Sequence, residues 1–223
     1  MKRVLVIAPH KDDEIIGVGG TIIRHIKSGD EVYVCIMTKG TEPLYRESFN
    51  EAVVKMTRMC HQKIGVTKTY FLDFPAAMLE KEDRYRINDA LLKTIQEIKP
   101  DIVYIPHWGD MQKDHQIVAD AAMVCLRPKY IPQPEKIYAY ETLSETGWNV
   151  PNVQNAFIPN AFVDITEELD EKLEAMRYYE SEISAFPNAR SIEAIEALAR
   201  YRGATMNMKA AEAFFLIREI ITR

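Results

Sequence analysis

Short β-branched runs alternate with stretches of helical period along the first two thirds of the chain. Val4-Leu5-Val6-Ile7-Ala8 is uniformly apolar and stops at Pro9, which cannot donate to a ladder, so Arg3 to Ala8 reads as a strand buried on both faces. Ile15, Val18, Ile22, Ile23 and Ile26 then recur at helical spacing until Gly29, and Glu31 to Thr38 forms the second strand. A loop with Gly40 and Pro43 leads to a helix around Phe49 to Ile64, stopped by Gly65, followed by a strand at Thr69 to Leu72 and a loop over Asp73 to Glu82. The next helix, Tyr85 to Ile98, carries Ile87, Leu91, Leu92, Ile95 and Ile98 on one face and ends before Pro100. Ile102 to Pro106 is the fourth strand, His115 to Leu126 a helix, Arg127 to Glu135 a proline-rich loop, and Lys136 to Glu141 the fifth strand. The last third reads as mostly helical. Thr166 is the expected N-cap of a long helix to about Ser184, Pro187 interrupts, and two more helices are expected near Ser191 to Tyr201 and Lys209 to Ile221.

Strands alternating with helices predict an α/β, Rossmann-like three-layer sandwich with a mostly parallel sheet of order 3-2-1-4-5 and a helical C-terminal third. Residues 1–223 are expected to form one domain, without repeats or low-complexity segments. The formal net charge of −5 gives no basic footprint for nucleic acid or an anionic membrane, so a small-molecule substrate fits better. The opening apolar run falls far short of the roughly 20 residues that span a bilayer and lacks the pattern of a signal peptide, so a cytoplasmic protein is expected. Cys35, Cys60 and Cys125 lie in apolar segments without a C-x-x-C pair and read as buried free thiols rather than nucleophiles. Association of copies is left open.

Two polar clusters change this picture. Pro9-His10-Lys11-Asp12-Asp13-Glu14 leaves the tip of the first strand, and His107-Trp108-Gly109-Asp110-Met111-Gln112-Lys113-Asp114-His115 leaves the tip of the fourth. Carboxylates also favour a helix N-terminus, so Asp12, Asp13 and Glu14 alone are compatible with a solvated first turn. In the predicted strand order, however, strands one and four are neighbours and both loops border the switch-point crevice, where ligands bind. Two imidazoles and a carboxylate from such loops suit zinc with a position open for water. Adjacent residues on an extended segment project in opposite senses, so one of Asp12 and Asp13 binds the ion and the other faces substrate.

Competing motifs are weaker. Gly17-Val18-Gly19-Gly20 lacks the third glycine of a dinucleotide loop, Ile22 standing in its place. No G-x-S-x-G is present. A metal-free carboxylate pair of glycosidase type leaves His10 and His115 without a task. His25 and His61 fall in helical stretches and read as surface or boundary residues.

Pro9-His10-x-Asp12-Asp13-Glu14 together with Asp114-His115 resembles the zinc-dependent GlcNAc-PI de-N-acetylase family, also called PIG-L or LmbE-like. Tyr70 to Pro75, Tyr140 to Thr146, Ala197 to Gly203 and Ala211 to Phe214 agree with one bacterial branch of it. The resemblance implies His10, Asp13 and His115 as ligands of Zn2+ or another divalent transition metal, Asp12 as general base, and Asp114 as the group orienting a histidine. It implies an N-acylated sugar or sugar conjugate as substrate. Lys11, Arg46, Tyr179 and Arg190 are candidate substrate contacts.

The chain departs from the family at two positions. Gln112 replaces the first histidine of the usual H-x-D-H; it can donate to an oxyanion but cannot act as a general acid near neutral pH. Proton delivery then falls to Asp12, Lys113 or His107. Lys11 replaces the usual proline and sets a cation beside the site. A protein that keeps the metal but only binds carbohydrate or serves in an assembly is the alternative that Gln112 motivates.

Overall fold

The computed structural model describes residues 1–130 and 132–221; position 131 of the expected 127–135 loop lies outside them. Five parallel strands form the centre of a sheet: β1 (Arg3–Ala8), β2 (Glu31–Lys39), β3 (Lys68–Pro75), β4 (Ile102–Pro106) and β5 (Lys136–Tyr140). Between them run α1 (Asp13–Lys27), α2 (Glu47–Ile64), α3 (Arg84–Ile98) and α4 (Lys113–Cys125). Val4, Val6 and Ala8 face one layer with α1 and α2, while Leu5 and Ile7 face the other with α3 and α4. Strand alternation thus feeds both layers from one uniformly apolar run. The free thiols of Cys35, Cys60 and Cys125 are buried, and burial pushes Cys35 up to about 12 and Cys125 up to about 11. Neither is a nucleophile at neutral pH.

The C-terminal third departs from the helical expectation. Residues expected to be helical from Lys209 form β7 (Ala211–Glu219), antiparallel to β5, and β6 (Ala161–Asp164) pairs on its far side. The full order is β3-β2-β1-β4-β5-β7-β6, a mixed sheet. Phe214 packs into the α1 layer and Phe215 and Ile217 into the α4 layer, the alternation of a strand. A contiguous apolar run of this length fits either state, and the outer edge of β5, whose N–H and C=O groups would otherwise be bare, decides it. The long helix from Thr166 is also shorter. Thr166 donates through N and Oγ1 to Asp164 Oδ1 (2.9 and 2.6 Å), forming a turn, and α5 covers only Leu169–Met176 with Glu168 as N-cap. A non-helical segment then leads to α6 (Ile192–Ala204). In the expected loop 73–82, Asp73 to Pro75 extend β3 and Leu79–Lys81 make a 3-10 turn.

The glycines of α1 serve packing rather than phosphate binding. A Cβ on Gly17 would lie 2.3 Å from the Tyr140 ring, and one on Gly20 would lie 2.8 Å from Ile165. Beside them Glu212 of β7 accepts from Gly20 N (2.9 Å) and Thr21 N (2.7 Å), and buried Lys172 of α5 donates to Glu212 (2.6 Å) and to Ile16 O (2.8 Å). This pair locks α1 against the C-terminal elements. Lys172→Met, which leaves the carboxylate buried and unpaired, should lower unfolding free energy by about 3–5 kcal/mol. Denaturant titration checks it, and adding Glu212→Gln should recover part of the loss.

Candidate active site

β1 and β4 are hydrogen-bonded neighbours, so the loops leaving their carboxyl ends meet. Asp13, the first residue of α1, stands at the junction. Its Oδ2 accepts from His10 N (2.9 Å) and lies 3.2 Å from both His10 Nδ1 and His115 Nε2. The far ring nitrogens are held by other carboxylates: His10 Nε2 lies 3.0 Å from Asp114 Oδ2, and His115 Nδ1 lies 2.9 Å from Asp110 Oδ2. Asp114 in turn accepts from Ala77 N (2.6 Å) and Leu79 N (3.3 Å), and Asp110 from Thr146 Oγ1 (2.5 Å). A carboxylate on one ring nitrogen fixes tautomer and orientation, so both imidazoles present their other nitrogen to Asp13.

Three ligand-type atoms, one each from His10, Asp13 and His115, lie within 4.8 Å of one another. Asp13 Oδ1 and His115 Nε2 are buried without a hydrogen-bond partner among the described residues. Leaving such atoms unsatisfied costs about 1–3 kcal/mol each, and a cation between them satisfies both. This two-nitrogen, one-oxygen set therefore fits a divalent transition metal with an open position.

The neighbouring carboxylates are driven apart. Burial alone would raise both, but for Asp13 it is outweighed by the His115 charge and by the hydrogen bond from His10, which hold it well below the usual range. Burial wins at Asp12, which rises well above the usual range despite the Arg190 charge, with Asp13 adding to the rise. Asp13 is thus the permanent anion and Asp12 the group suited to taking a proton. Burial lowers His115 less than Asp13 and Asp110 raise it, and it climbs to about 10.

Asp12 adopts a left-handed backbone, φ 123°, a conformation that costs a non-glycine residue about 1–3 kcal/mol. Its carbonyl accepts from Ile15 N and Ile16 N at 2.9 Å, and its N–H donates to Glu14 Oε2 at 3.1 Å. Glu14 is fixed from behind, its Oε1 accepting from Tyr179 OH (2.6 Å) and lying 3.0 Å from His61 Nε2. His61 Nδ1 reaches Thr69 Oγ1 at 2.7 Å. Two expectations are corrected here. Tyr179 is fully buried and braces Glu14 instead of reaching substrate, and His61 is a buried partner of Glu14 instead of a surface or boundary residue. Glu14 accepts groups 47 and 165 positions away, which no local pattern reveals.

The cleft beside Asp12 is lined by His10, Lys11, Asn50, Gln112, Glu182 and Arg190, among others. Arg190 Nη1 donates to Asp12, and its Nε donates to Ser144 Oγ at 3.1 Å. Burial draws the Lys11 ammonium below its ordinary pKa. Gln112 is half-buried at the N-cap of α4, its amide making no hydrogen bond among the described residues. Other expected contacts stand elsewhere. Arg46 is exposed at the start of α2 and does not line the cleft. His107 is buried, with Nε2 on Asn155 O (3.0 Å) and its ring against Trp108 and Phe157, so its imidazole is turned under the 149–157 loop. Lys113 is exposed and donates to Gln116 Oε1 at 2.8 Å. Asp110, which orients His115, was visible only as one more acidic residue in the second cluster.

A family model described as GlcNAc-PI de-N-acetylase (PIG-L) matches residues 5–126. Over 190 residues the chain is 27% identical to diacetylchitobiose deacetylase of Thermococcus kodakarensis, covering 82% of this chain and 70% of that one. It is 23% identical to a probable N-acetyl-alpha-D-glucosaminyl L-malate deacetylase of Bacillus anthracis, with 82% of each covered. The fold matches N,N'-diacetylchitobiose deacetylase from Pyrococcus horikoshii with a TM-score of 0.80 at 24% identity, covering 97% of this chain and 84% of that one.

Proposed function

Because the chain belongs to the GlcNAc-PI de-N-acetylase (PIG-L) family, we propose that residues 1–223 form a zinc-dependent amidohydrolase domain. It removes an N-acetyl or other small N-acyl group from an amino sugar or sugar conjugate in the cytoplasm. The observation that carries this reading is the Asp12–Asp13 pair, with Asp13 and His115 presenting unsatisfied atoms to one point beside the cleft. Relatives named as deacetylases of N-acetylated sugars support it.

Zinc, or another divalent transition metal, held by His10, Asp13 and His115 would polarise the amide carbonyl and lower the pKa of water towards ~7. Asp12 takes the proton of the attacking water, its backbone held by Glu14 and its carboxylate by Arg190. Gln112, with a free amide at the cleft, donates to the oxyanion of the tetrahedral intermediate. With Lys113 bonded to Gln116 and His107 turned under a loop, Asp12 is the group left to return the proton to the departing amine.

Incubating zinc-loaded protein with N-acetylated sugars and sugar conjugates should release acetate and amine in equal amounts. Release from none of them, with zinc bound, overturns the reading. Gln112→His should raise kcat, by up to ~10²-fold, because it adds an imidazole that can serve as general acid. The gain should be largest below neutral pH, where the imidazole is protonated. Gln112 also favours a second reading, a carbohydrate-binding protein that has lost hydrolysis. Saturable sugar binding without turnover in the wild type, with turnover gained in Gln112→His, would select it.

A further inference from the structure

Among the described residues two lysine side chains are buried, and they are treated very differently. Lys172 meets a carboxylate, Glu212, at 2.6 Å and a carbonyl at 2.8 Å. Lys11, 7% exposed, meets only neutral oxygens, Thr38 O and Asn50 Oδ1, each at 3.3 Å. It makes no ion pair among the described residues. Those contacts are longer than the usual 2.9–3.0 Å of an N–H···O bond, and an ammonium has three donors to satisfy. Buried charges are ordinarily paired at contact distance, whereas the carboxylates of Asp73, Glu14 and Asp12 act on Lys11 only from farther off.

Asn50 stands beside it. Its Oδ1 is turned to Lys11, which leaves its Nδ2 without an acceptor among the described residues. Lys11 and Asn50 both line the cleft that contains Asp12, and Arg190, the cleft's other cation, is already engaged by Asp12 and Glu182. On one wall of this cleft, among the described residues, Lys11 thus has only long contacts to neutral oxygens and Asn50 Nδ2 has no acceptor. Tyr45 and Phe49, stacked with centroids 6.3 Å apart, line the same cleft and offer an apolar flank for a sugar ring.

We propose that Lys11 and Asn50 form an anion subsite, and that the substrate is an N-acylated sugar bearing a carboxylate or phosphate. The inference rests on the deacylase reading above and narrows it. Lys11 stands between His10 and Asp12, so the anionic group belongs on the sugar itself or on its first substituent, close to the scissile amide.

The test compares N-acetylglucosamine with its 1-phosphate, its 6-phosphate and N-acetylmuramic acid on zinc-loaded enzyme, the phosphate and carboxylate arms separating the two sources of charge. At least one anionic sugar should exceed the neutral one in kcat/KM by about tenfold or more, as a hydrogen-bonded charge pair allows. Lys11→Met should bring that ratio close to one. Asn50→Asp, which gives Lys11 an internal counter-charge, should do the same and serves if Lys11→Met does not fold. Calorimetric binding of glucosamine and glucosamine 6-phosphate gives the same comparison without turnover. A ratio near one in the wild type for every anion, or a preference that survives both substitutions, overturns the subsite while leaving deacylation standing. Lys11-dependent anion selectivity in binding without acetate release upholds the subsite and overturns deacylation.

Discussion

Asp12→Asn should lower kcat by about 10²–10⁴-fold, the usual contribution of a positioned general base, with KM and zinc content little changed. Asparagine keeps the shape of the side chain and an oxygen to accept from Arg190, but it cannot take a proton from water. Stability should not fall. Burial raises the Asp12 carboxyl well above its ordinary range, so its ionised form opposes folding, and an uncharged substitute is at least as well tolerated near neutral pH. The pH profile separates a chemical role from a structural one. A base must be unprotonated to act, so wild-type activity should climb with pH as Asp12 ionises, and the residual activity of the variant should lack that limb. Steady-state kinetics from pH 5 to 9, with thermal denaturation of both proteins, would read all three effects. A Tm loss that accounts for the lost rate would assign Asp12 to structure instead.

The parts of this site that were legible in the sequence are those carried by short-range patterns. The apolar run Val4 to Ala8 ending at Pro9 located the strand tip, and the recurrence of a polar cluster after Pro106 located the second, because strand order makes those tips neighbours. The left-handed Gly65 that closes α2 was equally readable. What failed depends on distant partners. Ala211 to Ile217 has the composition of either state, and only the bare edge of β5 selects a strand. Tyr179 lies in a segment that could approach substrate, but Glu14, 165 positions away in sequence, claims its hydroxyl. Arg46 and Arg190 were indistinguishable as isolated cations. The segment after α5 brings Arg190 onto Asp12, whereas Arg46 stays exposed at a helix start.

Chelating the divalent metal should abolish hydrolysis, and added zinc should restore it, while His115→Ala should resist restoration. The same ligands predict how binding depends on acidity. In the chelated protein Asp13 and Asp110 hold His115 protonated up to about 10, and a cation must displace that proton to reach Nε2. Affinity should therefore rise with pH, and zinc titration near pH 7 should release protons, measurable by calorimetry in buffers of different ionisation enthalpy. Affinity independent of pH would exclude His115 as a ligand. Asp110 offers the sharper variant because it touches neither the proposed metal position nor the cleft. Asparagine at 110 can still accept from His115 Nδ1 but supplies no charge to raise the basicity of the ring, so Asp110→Asn should weaken zinc binding by about 10–100-fold. Unchanged affinity in that variant would mean that His115 is held by packing alone, and that the carboxylate on its far nitrogen does not tune the metal.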